Sequence, residues 1–180
     1  MKVIAVVGMT GSGKSEVARM FGNRGFTTVR FGDVTDEELK KRGLPLTEEN
    51  ERPVREAFRK QYGMAAYAII NLPRIDTALK DSNVVVDGLY SWEEYIHLKE
   101  YYGDSLVIVG VYSSPGMRYQ RLGSRKVRPL TPEEAESRDR AEIENMNKSG
   151  PIAMADYTVI NEYTFDELKK QVEEVIRRVK

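Results

Sequence analysis

The sequence predicts an α/β fold in which helices cover both faces of a five-stranded parallel sheet. Short apolar runs rich in β-branched residues alternate with longer segments of helical periodicity, which is typical of βαβ units. Several of these runs contain almost no polar residue, as expected of strands that helices cover on both faces. The predicted strands span residues 3–7, 27–31, 83–86, 106–112 and 157–160.

Length and composition limit the classes of protein to consider. The 180 residues suffice for one domain with a sizeable core, so we expect residues 1–180 to form a single domain. The 28 Lys and Arg balance 28 Asp and Glu, so no net charge gathers nucleic acid or an anionic membrane. The absence of cysteine excludes disulfides and thiolate–zinc sites and fits a reducing compartment. We therefore expect a cytoplasmic protein without nucleic-acid or membrane partners; the oligomeric state stays open.

Four predicted helices begin with a capping box. In this motif a Ser or Thr hydroxyl accepts a hydrogen bond from the backbone N–H three residues later, and a Glu at that position reaches back to the cap. The motif marks a helix start because it satisfies donors that the first turn leaves unpaired. The four pairs are Thr35 with Glu38, Ser91 with Glu94, Thr131 with Glu134 and Thr164 with Glu167.

Two segments interrupt the simple alternation of strands and helices. Residues 47–82 form a predicted helical insertion between the second and third strands, with a break or kink near Pro73. Residues 118–140 combine a basic, glycine-containing stretch with the start of the helix that follows Thr131. We expect the first segment to contribute a binding surface and the second to act as a lid over it.

A glycine-rich loop follows the first predicted strand directly and precedes the helical segment 16–21. Its glycines allow successive backbone N–H groups to converge on phosphate oxygens, and the helix N-terminus adds a partial positive charge. In the motif Gly-x-x-x-x-Gly-Lys-Ser, Lys14 is expected to reach the β- and γ-phosphates and Ser15 to ligate Mg²⁺. The pattern predicts a three-layer P-loop NTPase fold that uses ATP and Mg²⁺. The predicted cofactor-binding residues of the loop are Gly8, Thr10, Gly11, Ser12, Gly13, Lys14 and Ser15.

The remaining sequence disfavours a GTPase switch. A GTPase is expected to carry Asp-x-x-Gly after a later strand, but Tyr90 stands where the glycine that pairs with Asp87 belongs. The guanine-reading motif Asn-Lys-x-Asp is also incomplete, because Gly150 replaces its aspartate in Asn147-Lys148-Ser149-Gly150. These departures favour a small-molecule phosphotransferase over a GTPase.

Two aspartates follow predicted strands at the edge where ligands bind in open α/β sheets. Asp87 ends the third strand and is a candidate Mg²⁺ ligand together with Ser15. Asp33 follows the second strand and is a candidate to orient or deprotonate the acceptor hydroxyl. Both aspartates also suit a helix cap, although Thr35 and Ser91 already offer caps nearby.

Arginines of the 118–140 segment are candidates to neutralise the charge that develops during phosphoryl transfer. We expect Arg121 to contact ATP phosphates and Arg125 and Arg128 to act on the transferring group. Arg118 and Lys126 fit a solvated helix end instead.

A second set of arginines recurs in the helical insertion. Arg52, Arg55 and Arg59 lie at a spacing that puts them on neighbouring turns of one helix face, where they fit ligands of an acceptor phosphate. The alternative is that Glu51 and Glu56 simply pair with them.

Taken together, these residues resemble the nucleoside monophosphate kinase branch of P-loop kinases, and especially dephospho-coenzyme A kinase. An adenylate-kinase-related group of archaea and bacteria is more similar still, because it shares the element Asp87-Gly88-Leu89. The matching segments are Gly8 to Ser15, Gly32-Asp33, Arg121-Leu122 with Arg125, Leu130 to Ala135 with Arg138, Ala155-Asp156-Tyr157 and Ile160-Asn161.

The resemblance implies transfer of the γ-phosphoryl group of ATP–Mg to a small nucleotide-like acceptor. It implies that Asp33 faces the acceptor hydroxyl, and it puts Asp87 and Tyr90 where related kinases bind the acceptor. Dephospho-coenzyme A is the first candidate acceptor, and a nucleoside monophosphate is the alternative. From a different class, an ATP-binding regulatory module with weak hydrolysis also fits the loop.

Overall fold

The computed structural model describes residues 1–126 and 129–180, and its strands form one parallel sheet. The predicted bounds are confirmed for the first, fourth and fifth strands. The second strand ends one residue earlier than predicted, and the third is displaced by one residue. The strands are β1 Val3–Val7, β2 Thr27–Arg30, β3 Val84–Asp87, β4 Leu106–Tyr112 and β5 Tyr157–Ile160.

The sheet has the strand order β2-β3-β1-β4-β5, so β1 lies at its centre. Val6 of β1 pairs with Asp87 of β3 on one side and Val109 of β4 on the other. Because all strands run in the same direction, the segments that follow their carboxyl ends meet at one edge, where ligands bind in such sheets. The glycine-rich loop, Asp87 and the segment after β2 therefore share this edge.

Helices cover both faces of the sheet in the described ranges. Those before β4 are α1 Lys14–Gly22, α2 Asp33–Lys41, α3 Glu48–Tyr62, α4 Ala66–Ala78 and α5 Trp92–Tyr102. Those after it are α6 Pro115–Gly123, α7 Pro132–Met146, α8 Ser149–Ala153 and α9 Phe165–Val179.

The sheet separates two apolar clusters, which confirms the three-layer arrangement. Successive residues of a strand point to opposite faces. Val3, Ala5 and Val7 pack in the cluster that includes α4 and α5, whereas Ile4 and Val6 pack in the cluster that includes α1 and α9. Side chains of β1 are almost fully buried on both faces, which anchors the loop that follows it.

Three of the four predicted capping boxes are confirmed, at the starts of α5, α7 and α9. The prediction for Thr35 is wrong, because α2 already begins at Asp33 and has Gly32 as its N-cap. Thr35 lies inside the helix, and its hydroxyl is 2.6 Å from the hydroxyl of Tyr67. It therefore ties α2 to α4 instead of starting a helix.

The insertion between β2 and β3 consists of α3 and α4. The helices are separated at Gly63, whose φ of 73° favours glycine, and not at the predicted Pro73, which lies within a continuous α4. Asn71 attaches α4 to the sheet by donating to the carbonyl of Phe31 at 3.3 Å. Within the described ranges, no helix combines the length and apolarity needed to cross a bilayer.

Candidate active site

The backbone of the loop between β1 and α1 requires its glycines. Gly8, Gly11 and Gly13 have φ values of 152°, 85° and 97°, which side-chain-bearing residues rarely adopt. A Cβ atom on Gly13 would also collide with the side-chain amide of Asn161. The spacing of glycines in the sequence is therefore explained by both conformation and close packing.

The residues of this loop fit a bound phosphate chain. The first turn of α1 has no side-chain cap, since its N-cap is Gly13 in the left-handed conformation. The Ser12 hydroxyl is buried and has no hydrogen-bond partner among the described residues. Ser15, in the first turn of α1, is exposed at the same helix end. Unmatched donors at a helix N-terminus are suited to phosphate oxygens.

Lys14 is buried beside these donors. Its Nζ atom donates to the Met9 carbonyl at 3.0 Å. Burial and, next, the charge of Lys148 lower the pKa of Lys14 from 10.5 to about 7, although Glu142 and Asp87 oppose the change. A bound triphosphate would favour the charged form of this amine.

The prediction that Arg118 is a solvated residue is wrong. Arg118 is buried and forms a bidentate pair with Asp139, at 2.7 and 2.5 Å. It also donates to the carbonyls of Thr10 and Ser113, both at 3.1 Å. Arg118 therefore joins the glycine-rich loop to α6, α7 and the segment after β4.

Glu142 of α7 makes a second buried contact with the loop. Its carboxylate accepts from the Thr10 N–H at 3.3 Å and from the Thr10 hydroxyl. It also accepts from Lys148 Nζ at 2.7 Å. Burial raises the pKa of Glu142, but Lys148 and Thr10 outweigh that effect and the pKa lies below its ordinary range. The carboxylate is therefore ionised at neutral pH.

Arg121 lies on the opposite side of the loop, near the ends of β4 and β5. It donates to the Asn161 carbonyl at 2.8 Å and to the Ser113 hydroxyl at 2.9 Å. The Asn161 side chain in turn donates to the Ser12 carbonyl at 2.8 Å. The structure thus brings Arg121 close to the loop, through Asn161.

Asp87 lies next to the loop in the adjacent strand, as the sequence predicts. It pairs with Val6, two residues before Gly8, and its charge favours protonation of Lys14. Among the described residues, no three acidic or histidine side chains converge on one point. This is compatible with Mg²⁺, which binds through one or two protein oxygens and takes its other ligands from phosphates and water.

A pocket of about 110 Å³ lies between the end of β2, α2 and the insertion. The structure brings together three residues that the sequence analysis assigned to the acceptor, Arg55, Arg59 and Tyr90, and it adds Arg30. Arg30 escaped prediction because it lies within a strand rather than in a motif. The lining also includes the acidic side chains of Asp36 and Glu51.

The three arginines that line this pocket in the described part of the chain differ in their partners. Arg55 pairs with Glu51 at 3.0 Å and also with Glu48. Arg30 pairs with Asp33 at 3.0 Å and with Asp36 at 2.8 Å. Arg59 has no ion pair or side-chain hydrogen bond within the described part of the chain. An anionic ligand that binds Arg59 therefore displaces no carboxylate of the described residues, whereas one that binds Arg30 or Arg55 competes with an existing ion pair.

Three residues predicted to serve the acceptor, Asp33, Arg52 and Asp87, lie outside the lining of the pocket. Asp33, the first residue of α2, has a side chain 46% exposed and is linked to the pocket through its ion pair with Arg30. Arg52 pairs with Glu56, which is the alternative that the sequence leaves open for it, and its side chain is 73% exposed and outside the pocket lining.

Tyr90 and Lys148 connect the pocket to the loop. The Lys148 Nζ atom lies 4.8 Å from the centre of the Tyr90 ring, and Tyr90 lines the pocket. The capping box at the start of α5 holds the Tyr90 backbone, whose N–H donates to Glu94 at 2.8 Å. In the sequence, Lys148 stands out only as part of an incomplete guanine motif.

The segment predicted to form a lid contains the end of α6 and most of α7. Arg125 is exposed after α6 and has no ion pair or hydrogen bond to another described residue. Arg128, the other predicted lid residue, lies outside the described residues. The roles of these two arginines stay predictions.

The central strand, its glycine-rich loop and the neighbouring pocket define a P-loop protein with a kinase-like fold. Gluconokinase from Sinorhizobium meliloti 1021 has this fold, with a TM-score of 0.61, 18% identity and coverage of 99% of this chain and 93% of that chain. Shikimate kinase from Acinetobacter baumannii has a TM-score of 0.58 and 16% identity, with the same two coverages, 99% and 93%. At these identities the likeness concerns the fold alone.

Sequence comparison identifies the family. A family model described as an AAA domain matches residues 4–145. The UPF0200 protein of Pyrococcus furiosus is 39% identical over 183 residues, covering 98% of this chain and 97% of the relative. The UPF0200 protein of Sulfurisphaera tokodaii is 36% identical over 183 residues, covering 99% and 98%. The chain belongs to the UPF0200 family. The comparisons support the P-loop kinase-like class without singling out dephospho-coenzyme A kinases or nucleoside monophosphate kinases.

Proposed function

We propose that this protein is an ATP-dependent phosphotransferase that moves the γ-phosphoryl group of ATP–Mg to a small acceptor. The observation that carries the proposal is the pairing of two sites at one edge of the sheet. A loop with unmatched donors lies beside a pocket with an available guanidinium, and Tyr90 contacts both the pocket and Lys148. Phosphoryl transfer requires this adjacency, because catalysis depends mainly on positioning and electrostatic stabilisation.

On the donor side, the loop amides and Ser12 bind phosphate oxygens, and Lys14 binds the β- and γ-phosphates. Ser15 and Asp87 would hold Mg²⁺, which when bound neutralises charge on the β- and γ-phosphates. The buried contacts of Arg118 and Glu142 keep the loop in its conformation before ATP arrives. Preorganised donors of this kind favour the transition state because they need no rearrangement during reaction.

On the acceptor side, Arg59 binds an anionic group and Tyr90 contacts the body of the acceptor. An anionic acceptor that engages Arg30 would compete with Asp33 for that guanidinium. Asp33 would then be available to orient the acceptor hydroxyl or to accept its proton. Arg125 and Arg128 are proposed to approach the transferring group when the lid closes and excludes water.

The acceptor is proposed to be nucleotide-like, with dephospho-coenzyme A as the first candidate and a nucleoside monophosphate as the alternative. Both carry an anionic phosphate that suits Arg59. A coupled assay with ATP–Mg tests dephospho-coenzyme A, AMP, CMP and deoxynucleosides against an ATP-only baseline. Turnover of dephospho-coenzyme A is expected, and turnover of AMP or CMP alone would favour the alternative. Tight ATP binding without turnover of any acceptor would contradict the proposal and favour a regulatory ATP-binding module.

A further inference from the structure

A cluster of buried charges lies between the phosphate loop and the acceptor pocket. We call Lys14, Lys148 and Glu142 the two-lysine cluster. Glu142 accepts hydrogen bonds from Lys148 and from Thr10 of the loop, and the charges of Lys148 and Glu142 both influence the pKa of Lys14. Two ammonium groups therefore lie near one buried carboxylate, which pairs with Lys148 and, at 3.4 Å, with Arg138.

The local backbone fixes the position of Lys148. Asn147 ends α7 in the left-handed conformation, with a φ of 49°, and the Lys148 N–H donates to the Glu142 carbonyl at 3.2 Å. This turn directs Lys148 back towards α7, where its side chain is only 3% exposed. Lys148 is thus held by the fold and is not a mobile surface lysine.

The cluster has more hydrogen-bond donors than acceptors. An ammonium group carries three N–H donors. Among the described residues, Lys148 donates only to Glu142 and faces the Tyr90 ring, while Lys14 donates only to the Met9 carbonyl. Buried donors are normally satisfied, and the Ser12 hydroxyl beside them is also unmatched. The excess of donors and positive charge suits an anion with several oxygens.

A purely structural role, in which Lys148 only forms a salt bridge with Glu142, explains less of this arrangement than anion binding does. A single pair of Lys148 and Glu142 would suffice to attach α7 to Thr10. It gives no reason for burying a second ammonium group, that of Lys148, where its charge acts on Lys14, an arrangement of like charges that costs stability. An anionic ligand between the two lysines removes that cost.

We propose that Lys148 is a second phosphate-binding lysine that donates to the γ-phosphoryl group of ATP, with Glu142 as the residue that positions it. The contact with Tyr90 puts Lys148 on the acceptor side of the loop, so the γ-phosphate is the group it meets. This inference rests on the proposed function, because it assigns Lys148 to the phosphoryl group that is transferred.

The test compares ATP–Mg and ADP–Mg affinities by calorimetry in the parent and in matched variants. Lys148→Met is expected to weaken ATP binding by about tenfold or more while changing ADP binding less than threefold, since a charge-assisted hydrogen bond is lost only with ATP. Lys148→Arg is expected to retain part of the preference for ATP. Arg140→Met is the control, because Arg140 lies on the preceding helix α7 and its side chain is 73% exposed.

A further variant separates binding from folding. Lys148→Met alone leaves the buried Glu142 with only Arg138, at 3.4 Å, as an ion-pair partner among the described residues, whereas Lys148→Met with Glu142→Gln removes both charges of the closer pair. We expect the double variant to recover thermal stability while the preference for ATP stays lost. Equal weakening of ATP and ADP, or an unchanged preference, would overturn the role of Lys148. Failure of the parent to bind ATP would instead overturn the proposed function.

Discussion

The donor half and the acceptor half of the site are built differently. The phosphate loop is held by buried side chains that come from distant parts of the chain, such as Arg118 and Glu142. The acceptor pocket is lined by partly exposed arginines whose partners lie on the same helix or within a few residues, such as Arg55 with Glu51 and Arg30 with Asp33. Buried pairs resist rearrangement, whereas exposed pairs contribute little and exchange partners readily.

This difference indicates which half of the site determines the choice of substrate. A rigid donor half suits one ligand, the triphosphate, because its donors are oriented before binding. An acceptor half with exchangeable ion pairs suits a ligand that displaces one carboxylate with its own anionic group. Variants of the two halves should therefore have distinct consequences for turnover, stability and substrate affinity.

The largest effect is expected from Lys14→Met in the donor half. Removal of one preorganised donor to the transition state lowers kcat by about 10²–10³-fold. The substitution also removes a buried amine, so thermal stability should stay equal or rise. Steady-state turnover and a thermal melt measure the two quantities. Activity within a few-fold of the parent would show that the donor site is wrongly assigned.

Breaking the buried pair between Arg118 and Asp139 should unfold the donor half most readily. Arg118→Met leaves the Asp139 carboxylate without its ion-pair partner, with only the Tyr119 hydroxyl among the described side chains still donating to it, and is expected to cost about 3–5 kcal/mol of unfolding free energy. Urea denaturation measures the loss. The control, Arg118→Met with Asp139→Leu, removes both charges and should recover most of it. A loss under 1 kcal/mol would mean that the pair does not hold the loop.

The same difference between long-range and local contacts explains how much of the structure could be predicted from the sequence. Strand positions and the glycine-rich loop depend on local patterns, so they were predicted almost to the residue. The burial of Arg118 depends on Asp139, 21 residues further along the chain, and the contact of Thr10 with Glu142 spans 132 residues. No local pattern marks such pairs, and a basic stretch without acids instead suggests a solvated surface.

The sequence-based predictions that fail near the acceptor half do so for local physical reasons. Thr35 fits a capping box by spacing, but the N-cap of α2 lies three residues earlier, at Gly32. Pro73 lies within α4 because tertiary packing of that helix outweighs one missing hydrogen bond, whereas Gly63 permits the turn. Arg30 carries no motif, and only the pairing of β2 with β3 brings it to the pocket.

A smaller and more selective effect is expected from Arg59→Met in the acceptor half. Loss of a charge-assisted contact should raise KM for the anionic acceptor about tenfold to a hundredfold while KM for ATP stays unchanged. Arg52→Met is the matched control, because Arg52 lies on the same helix but outside the pocket. Initial rates with the acceptor that the coupled assay identifies measure both constants. Equal changes in the two KM values would remove the distinction between the halves.

The smallest expected effect is the uptake of protons by the donor half when ATP binds. The pKa of Lys14 is about 7 in the free folded protein, whereas the ordinary value is 10.5. Between these two pH values the unfolded chain binds more protons than the folded chain, so the free energy of unfolding rises with pH in this range. A bound triphosphate favours the ammonium form, so ATP binding should take up about half a proton at pH 7 and nearly one at pH 8. The same linkage predicts that ATP affinity falls as pH rises above 7.

Calorimetry in buffers of different ionisation enthalpy measures this uptake. Lys14→Arg is the control, because a guanidinium stays charged throughout the range. Uptake that persists unchanged in Lys14→Arg would assign the proton to another group. Uptake that disappears would identify Lys14 as an amine that burial keeps partly neutral until a phosphate chain reaches it, a property that the exposed arginines of the acceptor half cannot share.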